Sequence, residues 1–191
     1  MDAYMIKQNL RLFLLLIVTH FVLIINLAQA SFWQDSRKGL ELSAGHGKPS
    51  DLNGGRASFI IMPNQWQWWN GHLSAYLDGN ISHWRTDDGP NSSISIVGIN
   101  PFLRVNAWRH HIINPYLEGS IGIAALSKTR IGPRQLGAAW SFEDLVGVGL
   151  SFGKQEHAYV ALRYLHFSNA HLAPPNDGID VEYLVSVGYL F

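Results

Sequence analysis

The feature that most constrains this chain is a two-residue period that recurs from about residue 37 onward. In 115–127, Leu117, Gly119, Ile121, Ile123 and Ala125 alternate with Tyr116, Glu118, Ser120, Gly122 and Ala124. In 71–85, Leu73, Ala75, Leu77 and Ile81 alternate with His72, Ser74, Tyr76, Asp78 and Asn80. Successive side chains of an extended strand point to opposite faces, so such a run has one apolar and one polar face. No stretch carries a sustained helical period, and the chain reads as all-β. Strands are expected at roughly 37–46, 56–66, 71–85, 92–108, 115–127, 141–152, 157–168 and 179–191.

The first thirty residues follow a different rule. Lys7 and Arg11 precede an apolar run from Leu12 to Leu27, which closes with Ala28-Gln29-Ala30, a small-x-small cleavage pattern. Residues 1–30 are therefore expected to be an export signal that is removed. As a membrane anchor the run is weak: Thr19, His20 and Asn26 interrupt it, and a spanning helix needs ~20 apolar residues. Residues 31–191 remain as a single domain. The chain has no cysteine, which excludes a disulfide framework and thiolate metal sites. Its 14 Lys and Arg balance 14 Asp and Glu, so no attraction to nucleic acid is indicated. An exported chain rich in Trp, Tyr and Phe, with no further helical span, leaves a soluble β-domain or an outer-membrane barrel.

The connections favour the barrel. Those after strands 2, 4 and 6 are short, whereas those after strands 1, 3, 5 and 7 are mostly longer and rich in Gly, Pro, Asn and Asp, as in "HGKPSDLNGG", "TDDGPNS" and "KTRIGPRQLGAA". Short turns at one end and longer loops at the other describe an even-stranded membrane barrel. Trp66, Trp68, Trp69, Trp84, Trp108 and Trp140 fall at or near strand ends, where interfacial girdles sit. The last run alternates Val181, Tyr183, Val185, Val187, Tyr189 and Phe191 with Asp180, Glu182, Leu184, Ser186, Gly188 and Leu190. The expected fold is an eight-stranded antiparallel up-and-down transmembrane β-barrel. Side chains just fill an interior of that size, so no pore is expected. Asp78, Arg104, Glu118, Glu143 and Arg163 are expected to form ion pairs inside it.

Strand 157–168 carries the reactive candidates. Arg163 must avoid lipid, where a cation near the midplane costs ~2–4 kcal/mol, so it points inward. Val160, Leu162 and Tyr164 then face lipid, and His166 and Ser168 share their outer row at its far end. With the chain entering from the periplasm, that end is the cell surface. A His and a Ser at i and i+2 suit a general base and its nucleophile at head-group level. By itself the spacing is a weak signal.

The run His166-Phe167-Ser168-Asn169, followed by Pro175-Asn176-Asp177-Gly178-Ile179-Asp180 in the last strand pair, resembles the lipid A 3-O-deacylases of Gram-negative outer membranes. The motif covers about fifteen residues, and the strand plan and Phe191 match over the whole mature chain. The resemblance implies a serine esterase that removes the acyl chain ester-linked at the 3 position of lipid A. It assigns Ser168 as nucleophile, His166 as base and Asp180 as the acid that orients the histidine, with the Asn169 N–H as an oxyanion donor and Asn176 bracing the loop or touching substrate. The partners implied are lipopolysaccharide and the membrane; no cofactor or metal is implied, and pairing with a second copy is left open.

Two residues depart from the family pattern. The acid is usually glutamate where this chain has Asp180, shorter by one methylene, so Glu182 remains an alternative although it lies ~6–7 Å further from the surface; alternation also counts Asp180 as inward. His171 stands where a smaller residue would approach substrate more easily. Two rival functions remain: a non-enzymatic barrel of the anchor or adhesin type, and a soluble lipocalin-like binder. The inward polar residues of 71–85 and 115–127 argue against the lipocalin.

Overall fold

The computed structural model describes residues 32–48, 51–89 and 91–191; the expected export signal lies outside them. The chain divides into two units, Met1–Ser36 and Arg37–Phe191. In the first, residues 32–34 make a single helical turn, and the Ser36 hydroxyl donates to the Phe32 carbonyl. The second is the barrel. Its strands are β1 (Ser36–Lys48), β2 (Leu52–Pro63), β3 (Leu73–Arg85), β4 (Ser93–Asn106), β5 (Ile113–Leu126), β6 (Trp140–Phe152), β7 (Ala158–Ser168) and β8 (Ile179–Leu190).

Each strand pairs with its sequence neighbours, and β8 pairs antiparallel with β1, so the sheet closes on itself. Closure leaves no unpaired strand edge, which is what an apolar surround demands of a β-structure. The outer face is lined by exposed apolar side chains, among them Leu42, Val97, Leu117, Ile121, Val148 and Val187.

Inside, charge is confined to a hydrogen-bonded network. Arg163 donates from Nη1 and Nη2 to the two carboxylate oxygens of Glu41, at 2.6 and 2.9 Å, and from Nε to Glu118 at 2.7 Å. Arg104 donates twice to Glu118, and Arg56 donates to both oxygens of Asp78 and to Glu143. Tyr159 and Tyr76 add hydroxyl donors to Glu41 and Glu118. The expected ion pairs of Asp78, Arg104, Glu118, Glu143 and Arg163 are therefore present. Glu41 and Arg56 complete them, and both lie in stretches from which the pairing could not be read.

Two expectations are corrected. "HGKPSDLNGG" is not a long loop: β1 runs to Lys48 and β2 begins at Leu52, with Asp51 turning the chain at φ 54°. Gly54 and Gly55 belong to β2, and a side chain at Gly54 would collide with the His83 carbonyl and Trp84. Glycine here permits close backbone approach within a strand rather than marking a loop. Trp84 is not part of a girdle. It is fully buried and donates its indole N–H to Ser82, because it shares the inward parity of Asp78 and Asn80. Trp68, Trp69, Trp108 and Trp140 are exposed near strand ends, as expected.

Adjacent residues on β7 should respond to opposite insults. Arg163→Ala removes the cation that Glu41 and Glu118 share, leaving Glu118 to Arg104 and Glu41 to Arg56 at 3.5 Å, and breaking a buried pair costs up to ~3–5 kcal/mol. Leu162→Arg instead places a cation in lipid, at ~2–4 kcal/mol. Urea unfolding of the detergent-folded protein, followed by the gel shift between heated and unheated samples, should show both losses, and a wild-type midpoint for Arg163→Ala would refute the network's role.

Candidate active site

Three strands build the site on the outer wall. On β7, Val160, Leu162 and Tyr164 are exposed and Arg163 is 2% exposed, so the inward and outward rows fall as the arginine requires. His166 and Ser168 continue the outer row and are half-buried. The expected lateral, outward-facing pair is what the structure shows.

The acid reaches the same face through an irregularity. Along most of their length β7 and β8 pair residue for residue, from Ala158 opposite Tyr189 to Arg163 opposite Leu184. The next pairs are Leu165 with Val181 and His166 with Asp180. Glu182 and Tyr183 therefore stand together against Tyr164 alone, a β-bulge that inverts the parity of everything nearer the loop. Asp180, counted inward from uninterrupted alternation, is turned outward beside His166. Its Oδ1 lies 2.7 Å from His166 Nδ1 and also accepts the Tyr164 hydroxyl. The carboxylate joined to the imidazole is thus Asp180 and not Glu182.

The hydrogen bond decides the histidine's chemistry. A carboxylate only accepts, so Nδ1 carries the proton and Nε2 keeps its lone pair as a base. No hydrogen bond joins Ser168 to His166; their backbone positions are ~6–7 Å apart, a gap that two side chains can close. A second outer pair has the opposite polarity. His83 Nδ1 lies 2.9 Å from Ser95 Oγ, but Arg85 Nε donates to His83 Nε2. There Nδ1 must donate to the serine, so it cannot act as base toward it.

The loop after Ser168 is tightly braced. Leu172 N–H donates to the Asn169 carbonyl, and Ala170 and His171 take positive φ values of 50° and 60°, so residues 169–172 form a left-handed two-residue turn. His171 therefore holds a backbone conformation that favours glycine. The Asn169 N–H, expected to face an oxyanion, donates instead to Asn176 Oδ1 at 2.8 Å, and the Asn169 side chain donates to the Ala173 and Pro175 carbonyls. Asn169 and Asn176 therefore fix one another. Among the described residues, the Ala170 and His171 N–H groups have no acceptor in the protein. Gly178, at φ 69°, packs against the imidazole, where a Cβ would stand 2.9 Å from His166 Cε1.

Sequence reasoning missed Asp144. It lies directly across from His166 on β6, in an outer row otherwise built of Phe142, Val146 and Val148. A carboxylate in a lipid-facing row was the available signal. His166 thus has an acid on each neighbouring strand, with Asp180 the one bonded to it.

Against this geometry stand the comparisons with known proteins. A family described as lipid A 3-O-deacylase (PagL) matches residues 53–189. The lipid A deacylase PagL of Pseudomonas aeruginosa is 37% identical over 115 residues, 60% of this chain and 64% of that protein. The PagL of Bordetella bronchiseptica is 36% identical over 69 residues, which cover 36% of this chain and 38% of that protein. The matches to these curated relatives thus span less than two thirds of their length. The crystal structure of the outer membrane enzyme PagL superposes with a TM-score of 0.61 at 28% identity, covering 79% of this chain and 98% of that one. Neisserial surface protein A, at 12% identity and a TM-score of 0.54, shares the fold.

Asn176→Ala removes the acceptor of the Asn169 N–H. Since such a bond contributes roughly 0.5–1.5 kcal/mol, amide exchange at Asn169 should quicken by up to about tenfold. Unchanged protection would show that the turn is held without Asn176.

Proposed function

The chain belongs to the lipid A 3-O-deacylase family, and from that premise we propose that it is an outer-membrane serine esterase that hydrolyses the 3-O-linked acyl chain of lipid A. The observation that carries this reading is the His166–Asp180 hydrogen bond on the outer wall, with Ser168 two residues further along the same row. A non-enzymatic barrel would have no use for a proton-bearing Nδ1 pinned by a carboxylate at the rim of a lipid-facing surface.

The proposed roles are these. His166 Nε2 takes the Ser168 proton as Oγ attacks the ester carbonyl, forming a carbon–oxygen bond and a tetrahedral oxyanion. Asp180 keeps the imidazole in the tautomer that can accept, and stabilises the imidazolium that results. When the intermediate collapses, the bond to the sugar 3-oxygen breaks and His166 returns its proton to that oxygen. A water, deprotonated in turn by His166, then releases the fatty acid from Ser168. Tyr164 and Gly178 hold the acid and the ring in place.

The oxyanion is received by backbone donors, since these are oriented before the reaction begins. The Ala170 and His171 N–H groups, without acceptors in the protein, are suited to this. The Asn169 N–H joins them only if Asn176 yields its acceptor. The family's usual glutamate is replaced without loss of contact, because the bulge brings the shorter Asp180 beside His166.

Ser168→Ala and His166→Ala should each lower 3-O-deacylation roughly a thousandfold or more, since triad members act as a unit. Asp180→Ala should leave more activity, Asp180→Glu should retain a substantial part of it, and Glu182→Ala should stay near wild type. Mass spectrometry of lipid A from cells expressing each variant reads the missing acyl chain. Loss of activity in Glu182→Ala with retention in Asp180→Ala would overturn the assignment of the acid.

A further inference from the structure

The connection between β5 and β6, residues 127–139, leans on the Ser168 loop and carries charge that the fold does not use. The Asp177 N–H donates to the Gln135 carbonyl, and the Gln135 N–H donates to the Asp177 carboxylate. Leu136 bridges to Asn176, and the Gly137 N–H donates to the Pro175 carbonyl. Ile131 and Leu136 are each 1% exposed, so the segment is anchored rather than loose.

Of the four connections at this end of the barrel, this is the one that contains Lys or Arg: Lys128, Arg130 and Arg134, with no acid among residues 127–139. None of the three makes an ion pair among the described residues. Arg130 faces the 86–92 connection beside Asp88, whereas Arg134 faces the site. Arg134 is half-buried, donates one Nη1 bond to the Asp177 carbonyl, and acts electrostatically on Asp180. Among the described residues, its remaining guanidinium donors have no acceptor. A guanidinium held by one bond, with a free fork of donors, is suited to a phosphate.

Resting on the esterase reading above, we propose that Arg134 binds the phosphate carried on the same glucosamine as the scissile ester. In lipid A the 1-phosphate and the 3-O-acyl group flank a single ring carbon, so an anion held at Arg134 presents that ring's ester to Ser168. The arginine thereby determines specificity: it selects which of several chemically similar esters enters the site.

The test uses the full chain folded in detergent and three substrates: bisphosphorylated lipid A, the same lipid A lacking its 1-phosphate, and a neutral p-nitrophenyl ester. Wild type should favour the 1-phosphorylated form in kcat/KM by about tenfold, as expected for a charge-assisted contact. Arg134→Gln should bring that ratio close to one, and Arg134→Lys should keep part of it. The preference should persist when substrate is diluted in neutral detergent; its disappearance on dilution would assign the phosphate to neighbouring lipids and overturn the proposal. A wild-type ratio of one, or an unchanged ratio in Arg134→Gln, would overturn it while leaving the esterase reading intact if the lipid is still cleaved. Failure of wild type to cleave any of the three substrates would overturn the esterase reading, and this proposal with it.

Discussion

The Arg163 guanidinium, clasped by Glu41 and Glu118, is the contact on which the rest of the structure depends. A cation cannot face lipid without large cost, and inside the barrel it can be neutralised from two other strands. Once Arg163 points inward, strand geometry leaves His166 and Ser168 no choice but the outer wall. The interior network therefore does two things at once: it fills the space that would otherwise be a channel, and it sets the facing of the residues proposed to react.

Placing the site outside the barrel has a chemical consequence. For the proposed esterase, an ester in the outer leaflet would approach Ser168 sideways, without leaving the membrane to enter a cavity. The exposed neighbours Leu162, Tyr164 and Val185 form the apolar floor beneath it, and the polar loop 169–178 forms its rim. The loop is held there by mutual bonds of Asn169 and Asn176 and by its strap to residues 127–139.

The bulge at Glu182–Tyr183 resolves the one conflict between pattern and chemistry. Uninterrupted alternation would bury Asp180 on the wrong face, and Glu182, which shares that parity, also lies deeper along the strand. One extra residue in β8 turns Asp180 outward and lets Tyr164 and His166 share its oxygen. It also explains how an aspartate stands where the family usually has glutamate: the backbone moves toward the histidine, so the side chain need not reach as far.

Much of this was written in the residues. The period of two gave the strands within a few positions, the placement of Arg163 gave the inner and outer rows of β7, and His166, Ser168 and Asn169 were legible as a motif. The first two are local properties, determined by strand geometry and by the cost of charge in lipid, whereas the motif was legible through its resemblance to a family. What tertiary structure decided was relational. Glu41 and Arg56 join the network only because distant strands face one another across the barrel. Trp84 lies inside because of parity, although it stands near a strand end. Asp144 sits beside His166 through register with β6, and the Asn169 N–H meets Asn176 seven positions further along the loop. The facing of Asp180 depends on a bulge, which arises when two strands must keep register at both ends, and one strand's own alternation carries no record of its partner.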